Sequence, residues 1–211
     1  MTGAAARGDH DPYYLDLDQC GFAPALPLRY TWAREGTRPL ARYEAPQGRR
    51  VNVLGAVAPL GPQPRFRYES RLASEGRLDS AALLDFVCRE IVGLGAAALD
   101  RLAADPVARA AARRAVPATV VLDNYGVHHS KQVKAALPTL AALGVSFYYL
   151  PAYSPKLNRI EPEWHALKYH RLADCSFTSG PALKAAVDAA LDERAAEAAA
   201  THSTIHFLEA A

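Results

Sequence analysis

The stretch TVVLDNYGVHHS, Thr119 to Ser130, contains an apolar run that ends abruptly on polar residues. Residues 120–122 are Val, Val and Leu, the residue types of a short buried strand. Asp123 and Asn124 follow directly. Functional side chains of α/β sheets gather where strands end, near the point at which the strand order reverses. Asp123 is therefore a candidate functional residue, although an Asp-Asn pair is also typical of a turn.

The residues before this stretch predict strands followed by helices. YYLDLDQCGF (Tyr13–Phe22) alternates, which places Leu15 and Leu17 on one face of a strand and Asp16 and Asp18 on the other. Further strands are predicted in RRVNVLGAVAPLG and PRFRYESRL, joined by the turn-rich residues 59–64, and a hairpin or ordered excursion in residues 28–44. DSAALLDFVCREIVGLG has helical spacing with Asp79 or Ser80 as its cap, and the alanine-rich segment after it continues as helix, interrupted at Pro106.

The residues after it predict a helix, a strand and two more helices. SKQVKAALPTLAALG forms a helix with Ser130 as N-cap and Gly144 as its end, and VSFYYLP forms a strand. NRIEPEWHALKYHRL and PALKAAVDAALDERAAEAAA are the last two helices. Antiparallel hairpins followed by strand–helix–strand units predict one α/β domain, a mixed sheet with helices on its faces.

Composition narrows the function classes. The chain has 211 residues, a net charge of +2 and no apolar run long enough to cross a bilayer. Its N-terminus has no secretory h-region, and its three cysteines have no CxxC spacing, so neither a disulfide framework nor a structural zinc site is expected. These features favour a cytoplasmic protein. Arginines cluster locally, and they suit either phosphate recognition or a solvated surface.

Carboxylates at neighbouring strand ends are the main chemical signal. Asp18 nearly ends the first strand and Asp123 ends a later one, and two such groups repel unless a cation lies between them. Mg²⁺ prefers carboxylate oxygens and fits that place. Glu161 and Glu163 both open the next helix, and helical periodicity does not choose between them. The adjacent His128 and His129 lack a third zinc ligand and are interpreted as non-ligating. Three tyrosines are interpreted as packing residues rather than as a base-stacking platform: Tyr148, Tyr149 and Tyr153.

The motifs together resemble a known family. LDNYGVHHS followed by LPAYSPKLNRIEPEWHALK is similar to the catalytic half of mariner-like bacterial insertion-sequence transposases, in the DDE superfamily. The matched positions are Asp123, Asn124 and His128, then Ser154, Pro155, Leu157, Asn158, Ile160 and Glu161, then Trp164, Leu167 and Lys168. The separation from Asp123 to Glu161, 38 residues (161 − 123), also resembles that of the family. DQCGF, from Asp18, resembles the segment that carries the family's first acid.

The resemblance implies a fold and a domain organisation. The fold is ribonuclease-H-like, a mixed five-stranded sheet flanked by helices. Residues 13–175 are expected to form the catalytic domain, and residues 176–211 a helical extension of it. Residues 1–12 are expected to be a disordered tail, too short to hold the family's N-terminal helix-turn-helix region.

The resemblance also implies chemistry. Asp18, Asp123 and Glu161 hold two Mg²⁺ ions, with Mn²⁺ as a substitute, and cut and transfer DNA strands in transposition by in-line displacement at a phosphodiester. Two sets of residues support them: Asn124 and His128 orient Asp123 or touch phosphate, and Lys156, Arg159 and Lys168 contact the DNA backbone. The implied partners are DNA and a second copy of the chain, with no membrane and no small-molecule substrate.

One departure from the family pattern leaves alternatives open. The family has Glu after its first acid, whereas this chain has Gln19, so Asp16 is the reserve candidate for Asp18. A non-catalytic remnant that binds DNA or protein is one alternative function. A ribonuclease-H-like nuclease acting on RNA–DNA hybrids is the other.

Overall fold

The computed structural model describes residues 13–26, 32–37, 48–58, 65–172 and 176–209. Its strands are β1 (Tyr13–Phe22), β2 (Val51–Ala58), β3 (Arg65–Leu72), β4 (Ala118–Leu122) and β5 (Val145–Tyr149). They form one five-stranded sheet in the order β3-β2-β1-β4-β5. β1, β2 and β3 pair antiparallel, whereas β4 runs parallel to both β1 and β5. The predicted mixed, ribonuclease-H-like sheet is confirmed.

Six α-helices are present in the described part of the chain: α1 (Ser80–Val87), α2 (Ala98–Ala104), α3 (Pro106–Ala111), α4 (Lys131–Ala142), α5 (Glu161–Ala166) and α6 (Gly180–Glu209). The predicted caps are at their places. The Asp79 carboxylate accepts hydrogen bonds from two amides of the first turn of α1, and the Ser130 hydroxyl accepts one from the amide of Val133 in α4. Gly144 follows α4 with φ 83°, a conformation that favours glycine. No helix in the described ranges is long and apolar enough to cross a membrane.

The helical region after α1 differs from the prediction of continued helix. α1 passes into a π-helical turn, Cys88–Val92, and Gly93 then stops it with φ 82°. The predicted interruption at Pro106 is confirmed: the extended backbone of Asp105 separates α2 from α3, and its carboxylate caps α3. The predicted excursion over residues 28–44 is described only in part. That part contains a turn in which the amide of Thr37 donates a hydrogen bond to the carbonyl of Arg34. The tail 1–12 and the turn 59–64 lie outside the described residues.

Each face of the sheet has its own apolar core. On one face, α1 and α4 pack against a cluster that includes Leu15 and Leu17 of β1. On the other, α5 and α6 cover β2 and β3 with a cluster that includes Cys20 and Phe22 of β1. Asp16 and Asp18 share that second face by the strand alternation. The sheet therefore presents its carboxylates towards α5 rather than towards α1.

Candidate active site

The strand register brings Asp18 and Asp123 to one edge of the sheet. Asp16 of β1 is level with Val121 of β4 in the parallel pair. Continuing that register by two residues along both chains makes Asp18 level with Asp123, one residue past the end of β4. Side chains two residues apart on a strand share a face, so both carboxylates point to the face covered by α5.

Glu161 reaches the same edge through a tether in the loop before α5. The buried Asn158 donates a hydrogen bond from Nδ2 to the carbonyl of Leu17 in β1, at 3.3 Å. Its own carbonyl accepts from the amide of Glu161, at 3.2 Å. The first residue of α5 is thereby linked, through one side chain, to the backbone beside Asp18. Asn158 is thus an anchor for the site, a role that its place in the motif did not reveal.

A glycine in β2 leaves the space in which α5 packs against the sheet. Gly55 pairs with Asp18 across the β1–β2 ladder. A Cβ built on Gly55 would lie 2.5 Å from Cη2 of Trp164 and 3.2 Å from Cδ1 of Ile160, closer than packed atoms approach. Both of those side chains are buried in α5 and the residue before it. The missing side chain therefore lets α5 lie close over β2 and places Glu161 beside Asp18.

Glu161 and Glu163 differ in their tertiary contacts. Both oxygens of Glu163 accept hydrogen bonds from the guanidinium of Arg194 in α6, at 2.6 and 2.8 Å. This bidentate pair holds α5 to α6 on the side away from the cleft. Glu161 instead lines a cleft together with Asp123. Helical periodicity did not distinguish the two glutamates, whereas the structure shows that Glu161 is the one that lines the cleft.

Asp18 interacts electrostatically with both other acids. Burial first, and then the negative charges of Asp123 and Glu161, raise the pKa of Asp18 to about 6, although the Gln19 amide donates to Asp18 at 2.7 Å. Asp16 has different surroundings: burial raises its pKa, and its carboxylate accepts from the backbone amide of Arg159 at 3.3 Å. Asp18, and not the reserve candidate Asp16, is electrostatically coupled to the other two acids.

Asp123 is held by two donors. Nδ1 of the fully buried His128 lies 2.8 Å from Oδ1 of Asp123, and the backbone amide of Tyr125 donates to the same oxygen at 3.0 Å. These contacts, the histidine first, lower the pKa of Asp123. Oδ2 accepts no hydrogen bond from the described residues, so it is the oxygen available to a ligand.

Asn124 and His129 form a second link at this edge. Nδ2 of Asn124 donates to the carbonyl of Leu150, just after β5. Its Oδ1 lies 3.0 Å from Nε2 of His129, whose ring packs on Tyr149 at 4.2 Å between centroids. Asn124 therefore joins the ends of β4 and β5 instead of touching Asp123, and His129, which the sequence left without a role, takes part in this link.

The cleft between these loops has a volume of about 460 Å³. Its walls are formed by Asp123, Asn124, Tyr125, Leu150, Pro151, Ala152, Tyr153, Ser154, Pro155, Asn158 and Glu161. Tyr149 is a packing residue, as predicted. Tyr153 is fully exposed and Tyr148 is 57% exposed, so their interpretation as packing residues is wrong.

The three predicted DNA-backbone cations have different positions. Lys156 and Arg159 are exposed on the loop before α5. Lys168 lies deeper: its ammonium donates to the Cys20 thiol and stands 5.5 Å from the centroid of the Phe22 ring. The negative charges of Asp18 and Glu161 also act on the Cys20 thiol, so Lys168 contacts a residue within electrostatic reach of two of the acids.

The donor set suits a hard divalent cation. Carboxylates at this edge offer the oxygen ligands that Mg²⁺ and Mn²⁺ prefer, and burial, followed by the charges of Asp123 and Glu161, raises the pKa of Asp18. Among the described residues, no three His, Cys, Asp or Glu side chains are close enough to ligate one ion. The acids lie within electrostatic reach of one another but are not drawn together into a closed coordination shell.

Comparisons with known proteins identify the family and the fold. The sequence profile of the DDE superfamily endonuclease family matches residues 14–184. No sequence match to a curated protein was found.

Solved structures of the Mos1 transposase are similar in fold. They include a paired-end complex with the left transposon end (17% identity, 90% of this chain and 55% of that chain, TM-score 0.53). Another is the Mos1 mariner paired-end complex with Mn (20% identity, 87% and 48%, TM-score 0.55). A third is the corresponding complex with Mg (19% identity, 90% and 51%, TM-score 0.52). The chain spans about half the length of the transposase chains that it matches.

Proposed function

Because the chain belongs to the DDE superfamily endonucleases, we propose that it cleaves DNA strands and transfers them, the chemistry of DNA transposition, at a site formed by Asp18, Asp123 and Glu161. The observations that carry the proposal are that the strand register makes Asp18 level with Asp123 and that Asp123 and Glu161 line one cleft. Two neighbouring acids instead have structural partners: Asp16 accepts from a backbone amide and Glu163 binds Arg194.

Mg²⁺ or Mn²⁺ is the proposed cofactor because both prefer carboxylate oxygens, and a pair of such ions would supply Lewis-acid activation of the attacking oxygen and charge stabilisation of the leaving oxygen. The similar Mos1 paired-end complexes with Mn and with Mg support this choice. The protein's part is orientation. His128 fixes the rotamer of Asp123 and keeps its Oδ2 directed away from the buried imidazole.

DNA is the proposed substrate, and cations beside the cleft are proposed to bind its backbone. Lys156 and Arg159 are exposed at the entrance, where they can engage phosphates without reading sequence. Lys168, which contacts Cys20, is proposed to bind the same backbone. The similar Mos1 structures include a paired-end complex with a transposon end, which favours DNA over an RNA–DNA hybrid and a working domain over a remnant. A homodimer is proposed as the assembly that acts in transposition.

The test is nicking of supercoiled plasmid with Mg²⁺ or Mn²⁺ by the wild type, Asp18→Ala, Asp123→Ala and Glu161→Ala. We expect each of these variants to lose at least 100-fold of the nicking rate, which corresponds to about 3 kcal/mol of transition-state stabilisation. Asp100→Ala, which removes an exposed acid of α2, is the matched control and is expected to nick like the wild type. Equal nicking by all the variants would refute the site.

A parallel assay separates the alternative substrates. The same proteins are given labelled DNA duplex and RNA–DNA hybrid of one sequence. Faster cleavage of the duplex is expected, and cleavage restricted to the hybrid would replace the proposal with the hybrid nuclease. DNA binding without cleavage of either substrate, and without any effect of the Asp123 substitution, would identify a non-catalytic remnant.

A further inference from the structure

We propose that two copies of this chain join along β5, a strand at the edge of the sheet, so that their two sheets become one. β5 is the last strand in the sheet order, so its outer side has no neighbouring strand within the described residues. The inference rests on the homodimer of the proposed function and gives that dimer a surface.

The outer side of β5 offers a row of backbone hydrogen-bonding groups. The amide of Leu150 donates to the carbonyl of Leu122, so the even-numbered residues of this segment direct their backbone groups to β4. Because these groups alternate sides along a strand, the N–H and C=O groups of Val145, Phe147 and Tyr149 point away from the sheet. No residue in the described ranges forms a hydrogen bond with them. Such a row is a template for a further strand.

Charge distinguishes this edge from the opposite one. β3, at the other edge, carries four charged side chains: Arg65, Arg67, Glu69 and Arg71. Charged side chains are a usual protection of edge strands against pairing. β5 and the two residues after it, VSFYYLP, contain no charged side chain. Two β5 strands can therefore approach each other without repulsion between their side chains.

The sequence of β5 fits a second copy of itself in antiparallel pairing. When Phe147 lies opposite Phe147 of the second copy, Val145 faces Tyr149 and Ser146 faces Tyr148. This register pairs all the outward backbone groups of both strands, and each tyrosine meets a smaller side chain. The two phenylalanine rings form an aromatic cross-strand pair at the twofold axis. The arrangement closes on itself, so it gives a dimer and not a fibre.

A groove beside β5 receives the tyrosine of the second copy. It has a volume of about 650 Å³, and its walls include Thr119, Val121 and Ser146. The hydroxyls of Thr119 and Ser146 lie 3.1 Å apart, so the floor of the groove is formed by short side chains. The ring of Tyr148, which is 57% exposed in a single copy, can lie across Ser146 of the other copy and become buried. This is a small interface, so we expect a Kd on the order of 10 µM.

Disulfide trapping tests the surface and its register. Ser146 of one copy and Tyr148 of the other form a pair that exchanges no backbone hydrogen bonds, with Cα atoms about 4.5 Å apart, which a disulfide spans. Two copies of the same position lie on a diagonal, roughly 7–8 Å apart, which is too far. A mixture of Ser146→Cys and Tyr148→Cys proteins, one of them tagged, is therefore expected to form roughly tenfold more cross-linked dimer than either protein alone. The wild type gives the background from its own three cysteines.

Charge variants give the same answer at equilibrium. Analytical ultracentrifugation measures the Kd of the dimer. Ser146→Lys with Tyr148→Lys places lysines opposite each other twice and is expected to weaken the dimer roughly tenfold or more. Ser146→Glu with Tyr148→Lys changes the same two positions but makes opposite charges face each other, so it should recover most of the loss. Val107→Lys, at a residue of α3 that is 79% exposed, is the control and should dimerise like the wild type.

A wild type that stays monomeric at about 200 µM would overturn the proposal. A dimer whose Kd is unchanged by the two lysines, or a mixture that cross-links no better than either protein alone, would also overturn it, because the homodimer would then use another surface. Failure of the proposed function is a separate result, since it is read from unchanged plasmid nicking by Asp123→Ala.

Discussion

The imidazole of His128 is fully buried, and its Nδ1 lies 2.8 Å from Oδ1 of Asp123. This contact connects His128, in the turn after β4, to the carboxylate of Asp123, five residues earlier in the chain and directly after the strand. It sets the direction of Asp123 and leaves one carboxylate oxygen facing the cleft. The hydrogen bond therefore links the packing of the core to the geometry of the proposed site.

Removing this imidazole tests the link. His128→Ala is expected to lower the free energy of unfolding by about 2 kcal/mol or more, since a cavity opens and Asp123 loses a donor, and to reduce nicking at least tenfold. The lowered pKa of Asp123 stabilises the fold at pH above about 3.8, and this contribution is lost as pH falls through the folded pKa. Urea unfolding at pH 7 and pH 3 should therefore show a smaller effect of the substitution in acid. His165→Ala, an exposed histidine of α5, is the control.

The close packing of Trp164 on Gly55 predicts that a side chain added at Gly55 displaces α5 and disturbs the site. Gly55→Ala places a methyl group 2.5 Å from Cη2 of the indole, which forces α5 away from β2. A loss of about 1–3 kcal/mol in stability is expected, together with a reduced nicking rate, because Glu161 moves with the helix. Thermal unfolding and plasmid nicking measure the two effects.

The control and the rescue use the same chain. Gly95→Ala adds a methyl group whose nearest neighbour is 3.8 Å away, so it should change little. Trp164→Phe removes the crowded indole carbons, and the double variant with Gly55→Ala should recover part of the loss, which a double-mutant cycle detects. Additive losses in the double variant would contradict the packing argument.

Glu161 and Glu163 lie two residues apart and are expected to respond in opposite ways. Glu163→Gln breaks a bidentate, partly buried ion pair with Arg194 and should cost about 1–2 kcal/mol of stability while nicking persists. Glu161→Gln should abolish nicking without loss of stability, because it removes one of three repelling carboxylates. Chemical denaturation and nicking on both variants decide the matter, and the reverse pattern would exchange the two assignments.

Asp18 predicts an unusual dependence of stability on pH in the absence of metal. Its pKa is raised from 3.8 to about 6, so the folded state binds its proton more tightly than the unfolded state does. Stability from this group is therefore present in acid and is lost as pH rises from about 4 to 6. Since each pKa unit corresponds to about 1.4 kcal/mol, the ionised carboxylate costs about 3 kcal/mol at pH 7.5. Asp18→Asn should remove most of this cost at pH 7.5 and change little at pH 4.

Divalent metal should reverse that cost. Mn²⁺ is expected to raise the melting temperature of the wild type, because binding to the folded state alone adds stability, and to have a much smaller effect on Asp18→Asn. The exposed variant Asp100→Asn should respond like the wild type. Equal shifts in all three proteins would show that Mn²⁺ binds elsewhere.

Local features of the sequence were enough to predict the elements and the chemical type of the site. The alternation of β1, the caps Asp79 and Ser130, and the stop at Gly144 act through neighbours within a few residues, so they can be read without the fold. Asp123 and Glu161 were candidates for the same reason, since they lie at a predicted strand end and a predicted helix start. Asp18 was expected near the end of its strand, but it lies within β1, four residues before the end. The break between α1 and α2 was missed although two glycines, Gly93 and Gly95, mark it, and Gly93 ends the helical turn with φ 82°.

The sequence by itself determined that a mixed sheet forms with carboxylates at its strand ends. The tertiary structure decided which carboxylates meet. Asp16 and Asp18 share a strand face, and only the register with β4 and the tether from Asn158 bring Asp18, rather than Asp16, to Asp123 and Glu161. Likewise, Glu163 is engaged in an ion pair with Arg194 of α6, which lies 31 residues later in the chain. Register and helix docking depend on contacts between residues far apart in the chain, and no local pattern records them.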